Sequence, residues 1–173
     1  MADLGRDQLG LLDELGIARV HFAGLSLGGM TGMWLGAHAA DRIDRLALLC
    51  TSAHIPPAQQ WRDRAALVRE RGTRALAGTL EGRWFTAGFG ERDPEALQRM
   101  VRGLIATPDD GYVGCVEALA TMDLRADLPN VEAPTLVIAG AEDLATPPDH
   151  ARAIAAGIPD ARLEVLAGAA HLA

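Results

Sequence analysis

The sequence contains no lysine: all 16 of its basic residues are arginine, set against 23 acids for a net charge of −7. Those arginines are spread along the chain, and the acidic balance argues against a nucleic-acid-binding face or an anionic-membrane surface. No apolar run approaches the ~18–20 residues that a membrane-spanning helix needs. The opening MADLGRDQ carries two acids and no hydrophobic segment, so no signal peptide is visible there. Cysteine is scarce. Cys50 and Cys115 stand 65 positions apart without metal-type spacing and read as free thiols of a cytoplasmic protein. What is present is 49% hydrophobic residues in a chain of 173, enough for the core of one domain and too many for a disordered chain.

Periodicity then orders the chain. Leu4, Leu9, Leu11, Leu12 and Leu15 recur at helical spacing until Gly16. A short β-favouring run, Arg19 to Gly24, leads into a second helical pattern with Met30, Met33, Trp34, Leu35 and Ala37. Arg45 to Cys50 is a continuous apolar run of strand length, as expected of a strand buried on both faces. Strand, helix and strand with short joints predict an α/β fold with a parallel sheet. From Ile55 to about Leu128 helical patterns take over, over Gln60–Glu70, Pro94–Ile105 and Tyr112–Met122, as in an inserted helical subdomain. After Pro134 the α/β pattern resumes with a strand over Thr135–Gly140, a helix over Pro148–Ala156 and a strand over Arg162–Gly168. The expected division is therefore 1–54 and 129–173 for the core and 55–128 for the insert.

Gly24-Leu25-Ser26-Leu27-Gly28 matches G-x-S-x-G and falls between a predicted strand and a predicted helix. A nucleophilic serine at such a turn is strained, and glycine neighbours let the adjoining chain approach. The alternative account is a glycine-rich βα turn with a capping serine. A serine hydroxyl needs a base, and the base an orienting acid, which in this type of fold follow in the order Ser, Asp, His. Asp143 lies in the loop after the Thr135–Gly140 strand, and His171 follows the last strand. Glu142, beside Asp143, reads as a solvated charge. His21, His38, His54 and His150 pair with no His, Cys or carboxylate at ligand spacing, so no metal site is expected. Trp61–Arg74 holds five arginines and reads as a solvated helix face rather than an anion site.

LGRDQLGLLDELGIARVHFAGLSLGGMTGMWLG, DRIDRLALLCTSA, RWFTAGF and PTLVIAGAEDLATPP resemble the 3-oxoadipate enol-lactonases of the α/β-hydrolase superfamily, over essentially the whole chain. RWFTAGF and GYVGCVEAL, in the helical insert, carry the narrower resemblance. It implies a cytoplasmic enzyme that hydrolyses 3-oxoadipate enol-lactone to 3-oxoadipate without a cofactor. Its implied site residues are Ser26 as nucleophile, Asp143 as orienting acid, His171 as general base and the Leu27 N–H in the oxyanion hole. The insert becomes a lid, with Trp84 facing the pocket and Arg83 meeting the substrate carboxylate. Lid core for Trp84 and a surface charge for Arg83 are the alternatives. The implied partner is a small lactone or ester, with neither nucleic acid nor membrane.

The superfamily's sheet runs 1-2-4-3-5-6-7-8, and the segments found here correspond to strands 5-6-7-8 with their helices and lid. The expectation is thus the C-terminal half of the fold, from a truncated gene product or a partial sequence. The missing half carries the second oxyanion donor, worth ~10²–10³ in rate, so the isolated chain is expected to be a poor enzyme or none. The strand with Val20 and Phe22 would be an exposed apolar edge open to self-association. Other esterases, carbon–carbon bond hydrolases and haloperoxidase-like enzymes share the serine triad. A non-catalytic remnant is the reading from a different class.

Overall fold

Four short runs of apolar, largely β-branched or leucine residues set the frame, and a computed structural model describing residues 1–173 shows how they associate. Helix α1 (Ala2–Glu14) leads to β1 (Val20–Leu25), followed by α2 (Leu27–His38) and β2 (Ile43–Leu49). The insert comprises α3 (Ala58–Arg71), a 3₁₀ turn over Thr73–Thr79, α4 (Glu81–Trp84), α5 (Phe89–Arg92), α6 (Pro94–Ala106) and α7 (Asp109–Thr121). The chain then returns through β3 (Thr135–Gly140), α8 (Pro148–Gly157) and β4 (Ala161–Leu166). The strands lie in the order β1-β2-β3-β4 and every neighbouring pair is parallel.

This parallel order decides where chemistry can sit. Leu25 is level with Leu49, Leu49 with Ile138, and Gly140 with Leu166. The carboxyl ends of all four strands therefore share one edge, and the loops that follow β1, β3 and β4 emerge together. The central strands are buried as their unbroken apolar runs demand, with Leu48, Val137 and Ala139 fully enclosed. The outer strands are more open, and Val165 and Leu166 of β4 are exposed. Val20 and Phe22 of β1 are half-buried and packed against the core.

Helix α2 is buried on almost every side, through Met30, Met33 and Leu35, because it lies between the sheet and α1. Its neighbour α1 departs from the amphipathic expectation, since Leu11 and Leu15 are exposed. Its close contact with the rest of the fold lies near its N-terminus instead. There Gly5 sits directly on the Trp34 ring, and Gly5 is the one fully buried residue of the helix.

In the insert, α3 packs on α7, and Trp61, Ala65, Val68, Val113 and Val116 join the same core as the sheet. The two ends of the insert meet in an isolated antiparallel bridge between His54 and Asp123, supported by Leu124 N–H donating to the Ala53 carbonyl at 2.8 Å. No helix is long and apolar enough to cross a membrane.

Candidate active site

The strand-to-helix turn after β1 is strained. Ser26 sits at φ 53° and ψ −114°, outside the regions that a side chain adopts freely, at a cost of roughly 1–3 kcal/mol. Surrounding contacts hold it there: Ser26 N–H donates to the Leu49 carbonyl at 2.9 Å, and the Thr51 hydroxyl donates to the Ser26 carbonyl at 2.6 Å. Leu27, the first residue of α2, presents one of the N–H groups that a helix cannot satisfy internally.

The glycines around Ser26 differ in what they permit. A Cβ on Gly24 would lie 2.2 Å from the Gly28 carbonyl oxygen, and one on Gly29 would lie 2.7 Å from Thr51. A Cβ on Gly28 meets nothing within 4 Å. The close approach expected of both motif glycines therefore falls on Gly24 and Gly29. Gly24→Ala is expected to destabilise by about 3 kcal/mol or more, because the obstacle is backbone. Gly28→Ala should change stability by less than ~1 kcal/mol, with a gain expected from helix propensity. Urea denaturation of the two variants checks this, and equal losses would contradict it.

The acid and the histidine come from the loops after β3 and β4. Asp143 and His171 are only 2% and 5% exposed. His171 Nδ1–H donates to Asp143 Oδ2 at 2.9 Å. The same oxygen accepts from the Thr146 hydroxyl at 2.8 Å, while Oδ1 accepts from the N–H groups of Ala145 and Thr146 at 2.7 and 2.9 Å. Burial alone would raise the Asp143 pKa. The His171 hydrogen bond, the Thr146 N–H, the His171 charge and the Thr146 hydroxyl outweigh it and hold the carboxyl below its ordinary value. With Nδ1 committed to Asp143, Nε2 of His171 carries the lone pair.

The histidine loop is tied on three sides. Glu142 N–H donates to the Ala169 carbonyl at 2.9 Å, the Cys50 thiol lies 3.7 Å from the Ala170 carbonyl, and Leu172 N–H donates to the Trp84 carbonyl at 3.1 Å. Burial pushes the Cys50 thiol pKa up and favours its neutral form.

Ser26, Leu27 and His171 line a cavity of about 180 Å³ together with Arg83, Trp84, Arg64, Tyr112 and Thr146. The remaining lining is mainly apolar, including Met30, Ile55, Trp61 and Val116. Trp84 both faces the cavity and packs on the core, so its two alternatives coexist. Arg83 is half-buried at the cavity rather than a surface charge. Thr146, Tyr112 and Arg64 were not singled out from the sequence. Thr146 had a local signal, standing three residues after an acid at a turn, where a side chain can close back on the carboxylate.

Two expectations need correction. Arg64 leaves the solvated face proposed for the five arginines of Trp61–Arg74 and enters the cavity, whereas the other four are exposed. The histidines read as unpaired include two with carboxylate partners. His21 Nδ1 is 3.0 Å from Asp44, and His38 Nε2 is 3.3 Å from Asp127. Strand pairing and helix docking create these contacts, which no sequence spacing displays. His54 and His150 bond instead to the Met122 carbonyl at 3.1 Å and the Ser52 hydroxyl at 2.6 Å. No group of three or more His, Cys, Asp or Glu side chains could hold a metal ion.

Comparison with known proteins places this geometry. A family model described as the alpha/beta hydrolase fold matches residues 1–173. The chain is 42% identical over 163 residues to 3-oxoadipate enol-lactonase 2 of Acinetobacter baylyi, covering 94% of this chain and 61% of that protein. The enol-lactonase structure from Burkholderia xenovorans superposes with a TM-score of 0.95 at 43% identity, covering 99% of this chain and 65% of that one. A hydrolase structure from Pseudomonas aeruginosa gives 0.94 at 46% identity, covering 99% and 64%. The chain thus spans about three-fifths of the length of the enol-lactonase 2 it matches.

Proposed function

The chain belongs to the α/β-hydrolase family, and on that premise we propose that it acts in the hydrolysis of a carboxylic ester or lactone, with 3-oxoadipate enol-lactone as substrate and 3-oxoadipate as product. The carrying observation is the buried Asp143–His171 pair, 2.9 Å apart, opening on the same cavity as the strained Ser26. The similarity to proteins named enol-lactonases supports the narrower substrate.

In the proposed mechanism Ser26 attacks the lactone carbonyl while His171 Nε2 takes its proton. Asp143 holds the imidazole in the needed tautomer and stabilises the imidazolium that forms. The Leu27 N–H receives the oxyanion. Collapse of the tetrahedral intermediate breaks the ring C–O bond and expels an enolate, to which His171 returns the proton. The resulting enol tautomerises to the ketone. Water activated by His171 then releases the acyl group from Ser26 and regenerates the hydroxyl. No cofactor takes part in these steps. Arg83 and Trp84 hold the substrate, the first through its carboxylate and the second through its ring.

A substrate panel tests the reading. The enol-lactone should exceed neutral aryl esters in kcat/KM by roughly 10⁴-fold, as expected when a polar group of the site is left unpaired by the poorer substrate. Aryl esters hydrolysed as well as the lactone would overturn the substrate assignment.

A further inference from the structure

The groups assigned to the reaction follow β1, β3 and β4, while the loop after β2 carries none of them. That loop nevertheless holds the second strained residue of the chain. Ser26 and Cys50 are the two non-glycine residues with positive φ, at 53° and 43°. A residue with a β-carbon keeps such a backbone only where its surroundings fix it. For Cys50 those surroundings are other loops of the site. Its N–H donates to the Ile138 carbonyl of β3 at 2.8 Å, and its thiol faces the carbonyl of Ala170, beside His171, at 3.7 Å. Burial raises the thiol pKa, so the group stays protonated and able to donate.

The residues on either side of Cys50 hold the nucleophile turn. The Leu49 carbonyl accepts the Ser26 N–H at 2.9 Å, and the Thr51 hydroxyl donates to the Ser26 carbonyl at 2.6 Å. Both backbone polar groups of residue 26 therefore depend on residues 49 and 51. The carbonyl has one further partner, the Met30 N–H at 3.1 Å. Cys50 and Thr51 are both buried, so a lost contact there is not replaced by bulk water. Because β2 lies between β1 and β3, the turn at Cys50 sends adjacent side chains in opposite directions. The Thr51 hydroxyl reaches the loop after β1, and the Cys50 thiol reaches the loop after β4.

We propose that Leu49, Cys50 and Thr51 form a clip that sets the Ser26 turn against the His171 loop, with Thr51 as the positioning residue of the nucleophile. None of the three reacts. The left-handed backbone of Cys50 allows one short segment to reach both loops, and the contacts made at its two ends offset its strain. The clip rests on the hydrolase reading only for the roles of the groups it positions. Thr51 lies outside the G-x-S-x-G motif, 25 positions from Ser26, so no spacing in the sequence displays the contact.

The test is made on folded 173-residue chain, so that positioning is read apart from stability. In Thr51→Val the NMR shifts of Ser26 Cα and Cβ should move, because they follow φ and ψ, while those of β3 stay. Thr51→Ala removes the hydroxyl without setting a methyl group against the carbonyl, and it serves even where Thr51→Val does not fold. Labelling of Ser26 by a fluorophosphonate should slow about 10-fold in both variants, in line with a lost buried hydrogen bond and a misplaced nucleophile. The pH midpoint of labelling should stay at its wild-type value, since the Asp143–His171 pair is untouched. Thr51→Ser, which keeps the hydroxyl, should restore both the shifts and the rate. Cys50→Gly should unfold at higher urea than Cys50→Ala, because glycine adopts a φ of 43° freely. Unmoved Ser26 shifts in the folded variants, labelling at the wild-type rate in Thr51→Val, no rescue by Thr51→Ser, or the reverse order of the two Cys50 variants would each overturn the clip. Shifts that move as stated in a chain that takes no label keep the clip and count against the hydrolase reading of this chain. Equal labelling of every variant with unmoved shifts does the reverse.

Discussion

In a catalytically competent form of the protein, one with a complete oxyanion hole and pocket, Ser26→Ala is expected to lower kcat for the proposed lactone substrate by about 10⁶-fold, the order seen when the serine is removed from a triad hydrolase. The size follows from what the hydroxyl does on the proposed route. It supplies the atom that bonds to the acyl carbon, and no neighbouring side chain can take that role. Cys115 lines the same cavity but from the lid helix α7, and Cys50 is buried as a neutral thiol behind the histidine loop. Stability should respond differently. Alanine inherits the unfavourable φ of 53°, whereas Ser26→Gly relieves it and should be more stable than Ser26→Ala by about 1 kcal/mol. Turnover assays with urea denaturation, together with labelling by a fluorophosphonate, check both halves. Retained turnover, or label found on Ser26→Ala protein, would remove Ser26 from the mechanism.

The legible and illegible parts of this molecule divide along a physical line. β3 was readable to the residue, because Pro134 precedes it, Gly140 ends it and the apolar run between them suits burial on both faces. The positions of Ser26, Asp143 and His171 were readable for a related reason: each follows a recognisable strand, and parallel strands deliver their following loops to one edge. Contacts between separate elements were not. Trp61, Arg64, Ala65 and Val68 follow the i, i+3, i+4, i+7 spacing of a single helix face, so the sequence did hold a signal that Arg64 points inward with the buried stripe. Composition concealed it, since five arginines in one segment suggest a solvated helix. Gly28 shows the opposite case, a motif residue whose glycine character no local contact requires. The close approach of Gly5 to Trp34, a residue 29 positions away, was likewise hidden, because no local spacing displays a contact between two helices.

In the same competent form of the protein, Asp143→Asn is expected to lower kcat by about 10⁴-fold, the size that accompanies a wrong histidine tautomer in this type of triad. The hydrogen bonds around residue 143 dictate that tautomer. Two backbone N–H groups, from Ala145 and Thr146, point at Oδ1, so the amide carbonyl must lie there. The amide nitrogen then takes the place of Oδ2 and donates toward His171 Nδ1, which faces that oxygen at 2.9 Å in the native protein. The imidazole proton moves to Nε2, and the base no longer has a lone pair for Ser26. Stability separates this from unfolding. The Asp143 pKa lies below its ordinary value in the folded protein, so its carboxylate stabilises the fold fully above the unfolded value of about 4. That contribution is lost as pH falls through the lower folded value. The difference in unfolding free energy between wild type and Asp143→Asn should therefore be flat above about pH 4 as far as this carboxyl determines it, and shrink below. Urea titrations at pH 7, 5 and 3 with parallel turnover assays check both statements. A kcat within tenfold of wild type, or a stability difference that grows toward low pH, would contradict the role assigned to Asp143.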